Sequence, residues 1–154
     1  MWIKEIQLKN FRNYKEEKIK LNKNINILYG ENAQGKTNII ESIFLCSMGK
    51  SFRAKKDKEM IKINEDICSV EVEYEKSDRE GKIKIEIGNK KNIFINEIKI
   101  KKLSELLGKI NIVIFTPDDI EIIKGGPDQR RKFLDILIIF RPIFLKDFHL
   151  YFLL

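Results

Sequence analysis

The sequence predicts an α/β fold in which a glycine loop joins a strand to a helix, on three observations. The apolar run "INIL" at residues 25–28 leads into the glycine-bearing stretch "YGENAQGKTN", Tyr29 to Asn38. Directly after it, Ile39, Ile40, Ile43, Phe44 and Cys46 recur at helical spacing. Further on, "SVEVEYE" and "KIKIEI" alternate apolar and charged residues with a period of two, as half-buried strands do.

Taken in order, Trp2, Ile6 and Leu8 open an extended segment, "NFRNYKE" turns, and "KIKL" resumes as a second strand. Ile25 to Leu28 form a third strand that enters the glycine loop, and a helix runs from about Gly35 to Ser47. Gly49 to Lys58, "GKSFRAKKDK", is a polar and basic surface loop. Val70, Val72 and Tyr74 then share one strand face, with Glu71, Glu73 and Glu75 on the other. Ile83, Ile85 and Ile87 return against Lys82 and Lys84 after the turn "KSDREG". Opposite charges facing each other across such a hairpin contribute about 0.2–1 kcal/mol per pair. "NIFINEIKI" is a shorter hairpin around Asn96 and Glu97, and "KKLSELL" is a small helix ended by Gly108. "INIVIF" is a continuous apolar run, as in a strand covered on both faces. Thr116 with Pro117 opens one further helix, and Gly126 with Pro127 another.

Composition narrows the class. With 154 residues, 43% hydrophobic and 34% charged, the chain has the make-up of one soluble globular domain and excludes a disordered tail. A net charge of +7 and a pI near 9.3 favour acidic partners, which leaves nucleic acid, nucleotides and anionic lipid open. Cys46 lies in an apolar helical run and Cys68 at a strand entry, the pattern of reduced, buried thiols. One His149 and no CxxC argue against a zinc site. "MWIKEIQLKN" lacks the apolar core of a signal peptide. Arg141, Lys146 and Asp147 interrupt the apolar C-terminal stretch too early for a membrane span. No membrane association and a cytoplasmic location are the expectation.

The chemistry is carried by Gly30, Gly35, Lys36 and Thr37, which satisfy G-x-x-x-x-G-K-[ST] between a strand and a helix. The glycines allow backbone conformations in which successive N–H groups converge on one phosphate. The start of the helix adds its positive end to the same anion. Lys36 reaches the β- and γ-phosphates, and Thr37 offers its hydroxyl to Mg²⁺. Hydrolysis further requires a carboxylate in the Mg²⁺ shell and a group that positions water. Asp118 and Asp119 follow an apolar strand and faintly resemble such a motif, but they better suit the positive end of a capped helix, since they follow Thr116 and Pro117 rather than the strand end itself.

Three blocks extend this reading: "LKNFRNY" at Leu8 to Tyr14, "GENAQGKTNIIESIFLCSMGKSFR" at Gly30 to Arg53, and "VIFTPDDIEIIKGGPDQRRKFLD" at Val113 to Asp135. Together they resemble the RecF family of bacterial DNA replication and repair proteins. The resemblance implies a P-loop NTPase with an ATPase head of the ABC type, related to SMC heads, with mixed and antiparallel strands. Such heads bind ATP and DNA and form homodimers when ATP is bound. The family recognises single-stranded or gapped double-stranded DNA and helps RecO and RecR load RecA in recombinational repair and the SOS response. By position, the resemblance places Gly30, Glu31, Asn32, Ala33, Gln34, Gly35, Lys36, Thr37 and Asn38 around the nucleotide. Within that stretch, Asn32 to Thr37 hold the phosphates and Mg²⁺. It also puts Arg12 and Asn13 beside the nucleotide and brings Arg53 to the phosphates, where both arginines can also be read as solvated loop residues. Lys50, Lys55, Lys56 and Lys58, with Arg53, form a basic loop that suits either DNA phosphates or plain solvent. Arg130, Arg131 and Lys132 at a helix start are further DNA candidates.

The sequence departs from the family in two respects. Ala33 stands where many ABC-type loops have glycine, a change this family often shows. The family's chains are also roughly twice as long, and their signature motif and second carboxylate motif lie in the half that has no counterpart here. "SMGKS" follows the first helix too directly to serve as that signature. The expectation is an N-terminal lobe over residues 1–135 and the start of a truncated or frameshifted helical region over 136–154. Whether the chain hydrolyses ATP stays open. The alternatives are a non-catalytic nucleotide-binding fragment or interaction module, and a P-loop kinase of small molecules. The kinase leaves "NFRNY" and "GGPDQRRKFLD" unexplained.

Overall fold

The computed structural model describes residues 1–115 and 151–153. Two compact units divide the chain, Met1–Ile110 and Asn111–Leu154. In the first unit six antiparallel strands form a single sheet. In chain order they are β1 (Trp2–Phe11), β2 (Tyr14–Lys20), β3 (Cys68–Lys76), β4 (Arg79–Ile87), β5 (Lys91–Ile95) and β6 (Ile98–Lys99). Their order across the sheet is β2-β1-β3-β4-β5-β6. The helix α1 (Lys36–Met48) packs on β3 and β4. In the second unit β7 (Val113–Phe115) pairs in parallel with β8 (Tyr151–Leu153).

The β3–β4 hairpin follows the sequence pattern. Val70 faces Ile85 and Val72 faces Ile83, all fully buried, while Glu71 faces Lys84 and Glu73 faces Lys82. Lys82 bridges to Glu71 at 2.8 Å, diagonally across the pair. Ser77 and Asp78 turn the hairpin at φ 50° and 59°, the left-handed pair that matches strand twist in a two-residue loop. The β5–β6 hairpin turns likewise at Asn96 and Glu97, with φ 48° and 69°. Each fully buried aliphatic side chain of this layer is worth about 1.5–3 kcal/mol.

Strict alternation along β1 groups Trp2 with Ile6 and Leu8, but the structure groups Ile3 with them in the core and leaves Trp2 half-buried. The register against β3 slips between Ile3 and Glu5, so Lys4 is an extra residue in the ladder. One inserted residue reverses the phase of every side chain beyond it.

Helix α1 starts one residue inside the predicted bound and ends one beyond it. Gly35 precedes it at φ 104°, and Gly49 closes it at φ 69° with its N–H on the Leu45 carbonyl, 2.7 Å away. Nearly its whole circumference is covered. Ser42 and Ser47 are buried with the apolar residues, and their hydroxyls donate to the Ile39 and Ile110 carbonyls at 2.6 and 2.7 Å. Cys46 and Cys68 are free and buried, and burial pushes the Cys68 thiol up to about 12.

Three expectations are corrected. Ile25 to Leu28 is not a strand, and Ile25, Ile27 and Tyr29 are 78%, 78% and 90% exposed. A strand exists through its ladder, and no ladder partner for this run is found among the described residues. "KKLSELL" contains only a three-residue 3-10 turn, Leu103–Glu105, since so short a segment cannot offset the cost of helix nucleation. Of "INIVIF", only Val113–Phe115 is strand, and Phe115 is half-exposed rather than covered. Thr116, Pro117, Asp118, Asp119, Gly126, Pro127, Arg130, Arg131 and Lys132 lie outside the described residues. No helix among the described residues is long and apolar enough to cross a membrane.

Candidate functional site

The glycine loop is set by its backbone. Gly30 at φ 141°, Ala33 at φ 67° and Gly35 at φ 104° occupy the left-handed half of conformational space. Gly35 has no room for a side chain. A Cβ there would lie 2.7 Å from the Tyr14 hydroxyl and 2.9 Å from both polar side-chain atoms of Asn13. Around Gly30, by contrast, nothing lies within 4 Å of such a Cβ. Gly30 to Gln34 are exposed, Gly35 is buried, and Lys36, Thr37 and Asn38 are half-buried at the helix start.

The donors of this loop are available to an anion. The Asn38 and Ile39 amides close on the Gly35 carbonyl at 2.8 and 3.2 Å, while those of Lys36 and Thr37 find no acceptor among the described residues. The Lys36 ammonium lies across the loop and donates to the Gly30 and Glu31 carbonyls at 2.8 and 2.7 Å. A glycine-bearing turn, a helix N-terminus with unpaired amides and a lysine folded across the turn fit the phosphate tail of a nucleotide. Thr37 is the hydroxyl that could join a Mg²⁺ ion beside those phosphates. Among the described residues no cluster of three His, Cys, Asp or Glu could hold a metal ion by itself.

Asn13, Asn38 and Arg53 come together at the loop and the helix start, while Arg12 turns to Glu41 of α1. Asn13, in the β1–β2 turn, donates to the Gln34 carbonyl at 3.2 Å and accepts from the Asn38 amide group at 2.8 Å. Asn38 in turn accepts from Arg53 Nη2 at 3.0 Å. Arg12, held at φ 55°, donates through Nε and Nη2 to the two oxygens of Glu41 at 2.9 and 2.6 Å, and through Nη1 to the Glu59 carbonyl at 2.6 Å. Burial and nearby Glu17 raise the Tyr14 hydroxyl above its ordinary range, so it stays protonated beside Gly35. Lys50, Lys55, Lys56 and Lys58 are all exposed.

The sequence reading missed Glu41 and Ser51. Glu41 is fully buried and accepts from Arg12, from Arg53 at 3.3 Å, and from the Ser51 hydroxyl. The available signal was a lone acid inside the apolar helical run "IIESIF". Acids are almost never fully buried unless paired, so this one required cations close by.

Residues 5–148 match the family of AAA domains. The chain belongs to that family. Over 154 residues, 98% of this chain, it is 51% identical to the DNA replication and repair protein RecF of Acetivibrio thermocellus. Over 140 residues, 90% of this chain, it is 53% identical to the protein of the same name from Clostridium acetobutylicum. These stretches are 42% and 39% of those proteins, so the chain spans about two fifths of the length of the curated relatives it matches. It is also similar to a solved structure of the recombination mediator protein RecF-ATP in the RecFOR pathway. The identity is 44% and the TM-score 0.78, over 89% of this chain and 39% of that one. An SMC head domain from Thermotoga maritima, 21% identical, shares the fold at a TM-score of 0.57, over 68% of this chain and 40% of that one. The resemblance to RecF thus holds over most of the chain, and the fold is that of an ABC-type ATPase head.

Proposed function

We propose that this chain is the nucleotide-binding lobe of a RecF-type DNA replication and repair protein. It holds ATP on Gly30 to Asn38, with Lys36 at the β- and γ-phosphates and Mg²⁺ on the Thr37 hydroxyl. Asn13 braces the loop from the β1–β2 turn, Arg12 lies beside the nucleotide while holding Glu41 of α1, and Arg53 approaches from the loop after α1. The observation that carries this reading is the loop itself. Its left-handed glycines, its free amides at the helix start and its spanning lysine form an anion cradle joined to a RecF-like surround. The lobe comprises residues 1–135; of residues 136–154 the described ones, Tyr151–Leu153, form the strand β8 rather than helix. It works in the cytoplasm on single-stranded or gapped double-stranded DNA. There the complete protein forms ATP-dependent homodimers and acts with RecO and RecR to load RecA in repair and the SOS response.

Binding without turnover is the expected behaviour of the purified chain. Hydrolysis needs a carboxylate free to order Mg²⁺ and water, whereas Glu41 has both oxygens taken by Arg12, Arg53 and Ser51. Saturable ATP–Mg²⁺ binding with negligible phosphate release supports the reading. Clear turnover that disappears in Lys36→Ala overturns the binding-only account.

DNA contact is tested by salt. If Lys50, Lys55, Lys56 and Lys58 each meet one phosphate, log affinity for single-stranded DNA falls against log salt with a slope of about −3. Lys55→Ala with Lys56→Ala then flattens that slope by about 1.4. A salt-independent affinity removes the basic loop from the interface.

A further inference from the structure

We propose that Glu41 is a positioning residue of this site: buried in α1 about one turn beyond Thr37, it presents Arg53 to the phosphates of the bound nucleotide. The inference rests on the reading that the loop holds ATP. Its basis is a charge imbalance. One fully buried carboxylate faces two guanidiniums, so the cluster carries one net positive charge at the edge of an anion cradle.

The two arginines are not equivalent. Arg12 has 18% of its side chain exposed, grips Glu41 through two nitrogens, and gives its third to the Glu59 carbonyl. Arg53 is 39% exposed and touches Glu41 through Nη2 alone, at 3.3 Å. The same nitrogen reaches Asn38, one residue beyond Thr37, at 3.0 Å. Its Nε and Nη1 take no acceptor among the described residues. Arg12 therefore neutralises Glu41, and the remaining positive charge sits on Arg53 with donors to give.

Ser51 links the carboxylate to the loop that carries Arg53. Its hydroxyl donates to Glu41 and accepts the amides of Arg53 and Ala54 at 2.9 and 2.8 Å. This turn fixes where the Arg53 side chain leaves the backbone. Glu41 thus acts on Arg53 twice, by a direct ion pair and through the Ser51 turn. A planar guanidinium held from behind loses less freedom on meeting a phosphate than a free one.

A double-mutant cycle on the 154-residue chain, read by calorimetric titration with ATP–Mg²⁺, tests the assignment. Glu41→Gln and Arg53→Ala are each expected to weaken ATP about tenfold, the loss of one charge-assisted contact. The double variant is expected to match Arg53→Ala within about twofold, because Glu41 acts through Arg53. Ser51→Ala, which leaves the buried carboxylate and Arg12 in place, is expected to weaken ATP about threefold and to lose that effect in the Arg53→Ala background. It keeps the test decisive if Glu41→Gln fails to fold. Losses that multiply, or unchanged affinity in Glu41→Gln and Ser51→Ala, overturn the assignment. An unaltered chain that binds no ATP overturns the reading of the loop as well. One that binds ATP and loses it in Lys36→Ala, yet ignores Glu41→Gln, overturns only the role of Glu41.

Discussion

Lys36→Ala is expected to weaken ATP–Mg²⁺ binding by about a hundredfold, close to 2.7 kcal/mol, while leaving the folding stability within about 1 kcal/mol of the unaltered chain. The two halves of that expectation have different origins. In the structure the ammonium donates to two loop carbonyls in a solvent-accessible setting, and hydrogen bonds to neutral carbonyls, where water competes for the cation, contribute little net stability. Against a triphosphate the same ammonium meets oxygens bearing full charge, where hydrogen bonds are about twice as strong. Calorimetric titration gives the first quantity and urea unfolding the second. An affinity unchanged in Lys36→Ala removes the lysine from the phosphates, and an equal loss of stability and binding makes it merely structural.

Arg12→Ala is expected to cost about 3 kcal/mol of stability, because it strips a fully buried carboxylate of its principal partner. Arg53→Ala, at a longer and more exposed contact, is expected to cost less than about 1 kcal/mol. The contrast follows from geometry. Breaking a buried pair leaves a charge without compensation, whereas loosening a half-exposed one lets water take over. Urea midpoints at constant m-value measure both. Equal small losses would mean that water reaches Glu41 and that the clamp is not a dry one.

The glycine loop and the β3–β4 hairpin were legible because each is local. The loop's requirements sit within Gly30 to Thr37, and the hairpin's period of two puts Val70, Val72, Ile83 and Ile85 inward without reference to other strands. What failed was non-local. The phase of β1 reverses at Lys4 through its pairing with β3, and nothing in "MWIKEIQLKN" marks that slip. Ile25 to Leu28 shows which residues favour burial but not whether a partner strand is beside them, so the apolar run reads as a strand that the fold does not form. Glu41 shows the same limit within the site. Its partners Arg12 and Arg53 lie 29 residues before it and 12 after it, brought in by the β1–β2 turn and the loop after α1. Only the family resemblance places Arg12 and Arg53 beside the glycine loop, and it treats them alike. The buried acid that assigns them different tasks became visible only in three dimensions.

On the proposed reading, Gly30 to Asn38 enclose the phosphates of ATP. Backbone amide exchange across residues 30–38, measured with and without saturating ATP–Mg²⁺, tests it most directly. Marked slowing is expected at Asn32 to Thr37, whose amides turn from solvent to phosphate. Bound ATP with exchange unchanged over those residues, and slowed only elsewhere in the chain, would contradict it.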